Sequence, residues 1–208
     1  MTTPPPETGK ALVMKIGAVE YAGTLVDPKA PFPGDLPQVA FAGRSNVGKS
    51  SLINVLLRRT QKKLAHVSST PGKTQALNFY RVNEAFFLVD LPGFGFAQAP
   101  AAVREGWKSL IEGYMGRPDG PQAVVFLLDI RRNPSEEDVQ MLAYLAQVGT
   151  PTLVVLTKVD KLTWSRRSRD IPAMVEKLGL DPDQVLPFSS KTGEGRDDLL
   201  TAIESLLD

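Results

Sequence analysis

Val39-Ala-Phe-Ala-Gly43-Arg-Ser-Asn-Val-Gly48-Lys49-Ser50 is the stretch that decides the fold. The apolar run Val39–Ala42 predicts a buried strand. It leads directly into the pattern Gly-x-x-x-x-Gly-Lys-Ser, and Lys49–Leu57 predicts the helix that follows. Strand, glycine-rich loop and helix in this order make a phosphate cradle. The glycines let backbone N–H groups across Gly43, Arg44, Ser45, Asn46, Val47 and Gly48 turn inward, and the helix N-terminus adds partial positive charge. Lys49 brings a full charge to β- and γ-phosphates, which makes it the candidate catalytic residue, and Ser50 offers a hydroxyl to Mg2+. A glycine-rich turn beside a surface lysine is the bland alternative, and the position between strand and helix disfavours it.

Outward from this loop the chain alternates. Val39–Ala42, Leu77–Val82, Ala85–Val89, Ala123–Leu128, Leu153–Leu156 and Val185–Phe188 read as strands. Lys49–Leu57, Ala101–Met115, Glu136–Gln147, Ser165–Leu178 and Arg196–Leu207 read as helices, and Ser135 with Asp138 resembles a capping box. Asn83-Glu84 is too short for anything but an antiparallel hairpin, whereas the other strands are separated by helix-length crossovers. The expected fold class is therefore α/β, a doubly wound, mostly parallel six-stranded sheet with one antiparallel edge strand. Residues 1–10 read as a flexible tail and 11–208 as a single domain. Leu12–Val26 is open between strand and extended coil, and Asp27–Pro37, with four prolines, reads as a loop.

Composition narrows the function classes. Of 208 residues, 42% are hydrophobic and 23% charged, which excludes a disordered chain or a fibre. The longest apolar run, Ala123–Leu128, falls far short of the roughly 18 residues that a membrane helix needs. The first ten residues lack a basic start and carry three consecutive prolines, which speaks against a signal peptide. With no cysteine there is no disulfide, thiolate metal site or prenyl anchor, and a cytoplasmic setting without membrane attachment is expected. The net charge of +1 does not by itself announce a nucleic-acid partner.

Ligands of doubly wound sheets sit at the carboxyl ends of the strands, and further motifs fall there. Asp90-Leu91-Pro92-Gly93 follows Ala85–Val89. Its carboxylate suits Mg2+ through water, and the Gly93 N–H suits a γ-phosphate. Thr157-Lys158-Val159-Asp160 follows Leu153–Leu156. Asp160 there matches the N1–H and 2-amino donors of guanine, which adenine lacks, and the Lys158 stem suits packing on the base. Ser189-Ser190-Lys191, after Val185–Phe188, suits a backbone N–H to the guanine 6-oxo group. Alone, an Asp before Pro-Gly is ordinary turn chemistry and a Lys-x-Asp loop is a solvated surface. Their shared order and position make the combination specific.

With these residues in view, the chain resembles the translation-factor class of GTPases, and more closely the EngB/YihA/YsxC family. GRSNVGKSSLIN (43–54), STPGKTQALNFY (69–80), DLPGFGFA (90–97), TKVDKL (157–162) and SSKTGEG (189–195) follow that family's pattern over about residues 20–208. The resemblance implies a GTPase that binds GTP or GDP with Mg2+, and a monomer is expected. It further implies a role in assembling the large ribosomal subunit or its precursor and in normal cell division and septation. It places switch I at Gly72, Lys73, Thr74, Gln75 and Ala76, with Thr74 as second Mg2+ ligand beside Ser50 and Thr70 as a rival. Switch II falls at Asp90, Leu91, Pro92 and Gly93. The guanine site falls at Thr157, Lys158, Val159 and Asp160 with Phe188, Ser189 and Ser190. Ala76 departs from a frequent threonine.

Phe94 stands where many GTPases carry the glutamine that orients attacking water, so slow intrinsic hydrolysis is expected. Asn46 is either a ligand to K+ beside the phosphates or simply a turn former. Arg58, Arg59, Lys62 and Lys63, then Arg131 and Arg132, then Arg166, Arg167 and Arg169 form basic clusters suited to RNA, or else a solvated face. His66, the single histidine, reads as a switch or surface residue. Trp107 and Trp164 are expected on the core, and Phe94 and Phe96 are candidates for docking on a partner. Three other classes compete: a membrane signalling GTPase, a small-molecule kinase and a non-catalytic division scaffold.

Overall fold

Interior strands of a parallel sheet are buried on both faces and read as unbroken apolar runs, and the phosphate-loop strand lies in the middle of such a sheet. The computed structural model describes residues 14–57, 76–95 and 100–207. Among these, seven strands form one sheet: β1 (Val19–Leu25), β2 (Gln38–Gly43), β3 (Leu77–Val82), β4 (Phe86–Asp90), β5 (Ala123–Asp129), β6 (Thr152–Thr157) and β7 (Val185–Phe188), in the order β1-β3-β4-β2-β5-β6-β7. β2 pairs in parallel with β4 and β5, and β6 pairs in parallel with β5 and β7.

Two expectations need correction. The sheet has seven strands, not six, because Val19–Leu25 adds one. The antiparallel strand β3 is also not at the edge, since β1 covers it, antiparallel in turn. The physical reason is local. β1 lies on the rim with most residues at least partly exposed, so no apolar run marks it. Its register also shifts between Tyr21 and Gly23, which breaks the alternation that would identify a strand. Cross-strand partners hold it instead, with Tyr21 tilted on Tyr80 at 5.8 Å, Glu20 ion-paired to Arg81, and Thr24 donating to Asn78.

Helices cover both faces. On one, α2 (Ala101–Met115), α3 (Glu136–Val148) and α4 (Trp164–Leu178) bury Leu110, Tyr114, Leu145 and Met174 against Phe79, Phe87 and Phe126. On the other, α1 (Lys49–Leu56) and α5 (Arg196–Leu207) bury Leu52, Ile53 and Leu56 with Leu199, Leu200 and Ile203. Arg196 ties this second layer together by donating to the Val55 and Leu56 carbonyls at 3.0 and 2.8 Å, where α1 ends with unsatisfied acceptors. The Ser135–Asp138 capping box is present: the Asp138 N–H donates to Ser135 Oγ, and the Ser135 N–H donates back to Asp138 Oδ2. A Thr163 cap starts α4 one residue before the expected Ser165. Loops from β2, β4, β5, β6 and β7 therefore converge at one end of the sheet.

Candidate nucleotide-binding site

The phosphate loop leaves β2 and closes on the first turn of α1. Two of its residues have left-handed backbone: Asn46 at φ 64° and Gly48 at φ 113°. Asparagine is among the few non-glycine residues that adopt this conformation readily, which gives the turn-forming reading of Asn46 a physical basis. Gly43 is required for space. A Cβ there would meet the Leu127 carbonyl and Val47 Cγ1, both at 3.0 Å, because β5 backs directly onto the loop. Val47 is buried, and Ser50 sits half-buried in the first turn of α1. Lys49 Nζ is paired with Asp90 Oδ1, both side chains being largely shielded from solvent. The structure thus brings Lys49 of the loop and Asp90 at the end of β4 together.

Asp90–Gly95 runs against the loop as an extension of the sheet. Arg44 and Phe94 form a parallel bridge in which the Ser45 N–H donates to the Phe94 carbonyl at 3.0 Å. The Leu91 N–H donates to Phe41, and Trp107 Nε1 donates to the Pro92 carbonyl at 2.8 Å. Gly93 packs so closely that a Cβ would lie 2.9 Å from Ser45 Oγ and 3.2 Å from the Ser45 nitrogen. Arg44 reaches across to the Gly95 carbonyl and to Glu137 at the start of α3. Phe94 is buried, 5.5 Å from Trp107 and 6.0 Å from Phe126, so in this arrangement it belongs to the core rather than to a display surface. Trp164 goes the other way. It was expected on the core, yet at the first position of α4 it is 82% exposed.

At the far side, the Thr157–Asp160 segment braces the loop. The Thr157 hydroxyl lies 2.7 Å from the Val47 carbonyl and 3.1 Å from that of Leu128. Lys158, in left-handed backbone at φ 64°, donates to the Asn46 carbonyl at 2.7 Å and to Asp129 Oδ2 at 2.9 Å. Val159 is fully buried in the core. Asp160 accepts from Ser189 Oγ at 2.8 Å, and Ser189 Oγ in turn accepts the Lys191 and Thr192 N–H groups. Ser189 thereby fixes both the carboxylate and the loop beside it, with Ser190 half-buried next to it. The Phe188 side chain is fully buried among the α1 and α5 residues, leaving its backbone as the part nearest the site.

Asp129 was missed in the sequence. It ends β5, the same position relative to its strand as Asp90, and that was the available signal. Burial alone would raise its carboxyl pKa, but hydrogen bonds from Arg131 and Lys158 outweigh this and hold it well below the usual carboxylate range. Arg131 is committed to Asp129, Arg167 to Glu194, and both Arg166 and Arg169 to Asp170. Ala76 immediately precedes β3. Gly72, Lys73, Thr74 and Gln75, the rival Thr70, the Arg58–Lys63 cluster, His66 and Phe96 lie outside the described residues.

The chemistry offered is the N-terminal turn of α1 with Lys49 for an anion, a hydroxyl and a carboxylate for a hard cation, and a second carboxylate, Asp160, for a donor-bearing base. No cluster of three His, Cys, Asp or Glu side chains able to hold a metal occurs among the described residues. None of the helices among the described residues is long and apolar enough to cross a membrane.

Comparison with known proteins places the chain. Residues 38–158 match the family model described as 50S ribosome-binding GTPase. The protein named probable GTP-binding protein EngB of Syntrophotalea carbinolica is 48% identical over 194 residues, covering 93% of both chains. Its namesake in Syntrophus aciditrophicus is 50% identical over 190 residues, 91% of this chain and 95% of its own. A crystal structure of a probable GTP-binding protein EngB superposes with a TM-score of 0.66 at 27% identity, covering 82% of this chain and 98% of that one. Aquifex aeolicus Era bound to GDP and AlF4− superposes with a TM-score of 0.64 at 25% identity, covering 83% of this chain and 57% of its own. The fold is thus that of a P-loop GTPase, and the chain belongs to the EngB family of GTP-binding proteins.

Proposed function

We propose that this GTPase acts as a nucleotide-dependent switch in assembly of the large ribosomal subunit, and through it in normal cell division and septation. One observation carries the nucleotide part. Segments more than a hundred residues apart, the phosphate loop and Thr157–Asp160, are bonded into one rim by Thr157 and Lys158. The 50S ribosome-binding description of the matching family supports the ribosomal part.

In this reading the loop N–H groups and Lys49 hold the β- and γ-phosphates, Asp160 reads guanine, and Ser189 keeps its carboxylate aimed. Ser50 and Thr74 would ligate Mg2+ with Asp90 acting through water. The oxygen donors fit that ion, which when bound offsets charge on the phosphate oxygens. Hydrolysis adds water to the γ-phosphorus, breaks its bond to the bridging oxygen, and yields GDP and phosphate. Phe94 cannot orient that water through its side chain and is buried, so turnover is slow until a partner completes the site. We further propose that Asn46 offers its side-chain oxygen to K+ beside the phosphates, and faster turnover in K+ than in Na+ is the expected sign.

Co-sedimentation with large ribosomal subunits and their precursors tests the role. More protein should pellet with a non-hydrolysable GTP analogue than with GDP. Charge reversal at Arg58, Arg59, Lys62 and Lys63 should weaken pelleting at moderate salt, since phosphate contacts are salt dependent. No pelleting with either nucleotide would discard the ribosomal reading and favour the division scaffold.

A further inference from the structure

We propose that Asp129 is a positioning residue for nucleotide binding, acting through Lys158; this rests on the reading of Lys49–Asp160 as the guanine-nucleotide site. The side chain of Asp129 is only 7% exposed, at the carboxyl end of β5. One oxygen accepts the Arg131 N–H and Nε, at 3.1 and 2.9 Å; the other accepts Arg131 Nη2 at 2.7 Å and Lys158 Nζ at 2.9 Å.

Lys158 needs that anchor for two reasons. Its backbone is left-handed, a conformation that a long side chain gains nothing from intrinsically. Its four-carbon stem is also flexible, and without a second charged partner the ammonium would be free to leave the Asn46 carbonyl for water. Asp129 fixes the ammonium, the ammonium fixes the Asn46 carbonyl, and the stem passes beside Gly48, where an added Cβ would lie 3.7 Å from Lys158 Cε. One carboxylate thus sets both the phosphate loop and the Lys158 stem. It touches neither phosphate nor base, so it contributes to affinity and not to the chemical step.

The experiment is a two-by-two cycle of Asp129→Asn and Lys158→Ala in the full chain, read by titration with GDP and with a non-hydrolysable GTP analogue, and by steady-state hydrolysis. Asp129→Asn should weaken both nucleotides by the same factor, about tenfold, the worth of one charge-assisted hydrogen bond. It should raise KM by a similar factor and leave kcat within about twofold. In the Lys158→Ala background it should cost less than about a further twofold, because its route of action is already gone. An unchanged affinity, a loss confined to kcat, or a loss recurring in full without Lys158 would overturn the proposal. If Asp129→Asn does not fold, Asp129→Glu, which keeps the charge and moves it by one methylene, is put through the same cycle. A wild-type chain that bound neither nucleotide would instead remove the underlying assignment of the site.

Discussion

Single residues at the site are held by geometry that restricts what can replace them. Asp160 is held by Ser189, whose hydroxyl donates to its carboxylate, which fits the proposed reading of two donors on a guanine base. Asp160→Asn should lower affinity for GDP and GTP on the order of a hundredfold or more, from the loss of two charge-assisted bonds. Calorimetric titration against wild type checks this. Gly93 makes a different demand. A methyl group there would press on the Ser45 backbone nitrogen, which cannot rotate away as Ser45 Oγ can. Gly93→Ala should push the Asp90–Gly95 segment off the phosphate loop. Hydrolysis is then expected to fall by more than about tenfold while GDP affinity, set elsewhere, changes little. Equal losses in both would show that the contact serves folding and not the switch.

Secondary-structure elements differ in how far they could be read from the sequence. The interior strands were legible because both faces are buried and the apolar run shows it, as in Ala123–Leu128. β1 was not, because its stability comes from pairing with β3 and from ring and ion pairs across the edge, none of which leaves a periodic mark. α3 was legible down to its cap, and Ser135→Ala should lower unfolding free energy by about 1 kcal/mol in denaturant titration. α4 carries a proline, Pro172, in its interior, which removes a backbone donor and crowds the preceding turn. Pro172→Ala should therefore stabilise the protein by about 1–3 kcal/mol in the same titration. A stability unchanged or lowered would mean that α4 is already distorted in a way that suits proline.

Across the whole molecule, the site is a set of bonds between segments far apart in the chain. Each motif was visible in the sequence because its residue types and order are distinctive. The ties between motifs were not. Thr157 to Val47 and Lys158 to Asp129 exist only once β2, β5 and β6 lie side by side, and Asp129 has no motif of its own. These ties also make stability pH dependent. The Asp129 carboxyl is held below its ordinary value, chiefly by Arg131 and Lys158 acting against burial. Its contribution is complete above the unfolded carboxylate pKa of about 4 and is lost as pH falls below that, toward the depressed folded value. Asp129→Asn should thus flatten the acid limb of a plot of unfolding free energy against pH, below about pH 4. An acid limb identical to wild type would place the charge coupling elsewhere.

The two tryptophans, placed so differently, equip the protein with its own spectroscopy. The indole of Trp107 is bonded to Pro92 in the Asp90–Gly95 segment, and that of Trp164, four residues after Asp160, stands in water. An aqueous quencher such as iodide reaches the second and spares the first. Emission that survives quenching reports on the Asp90–Gly95 segment, and emission that is lost reports on the start of α4. Unlabelled protein can therefore show which of these two regions responds first when a nucleotide is added.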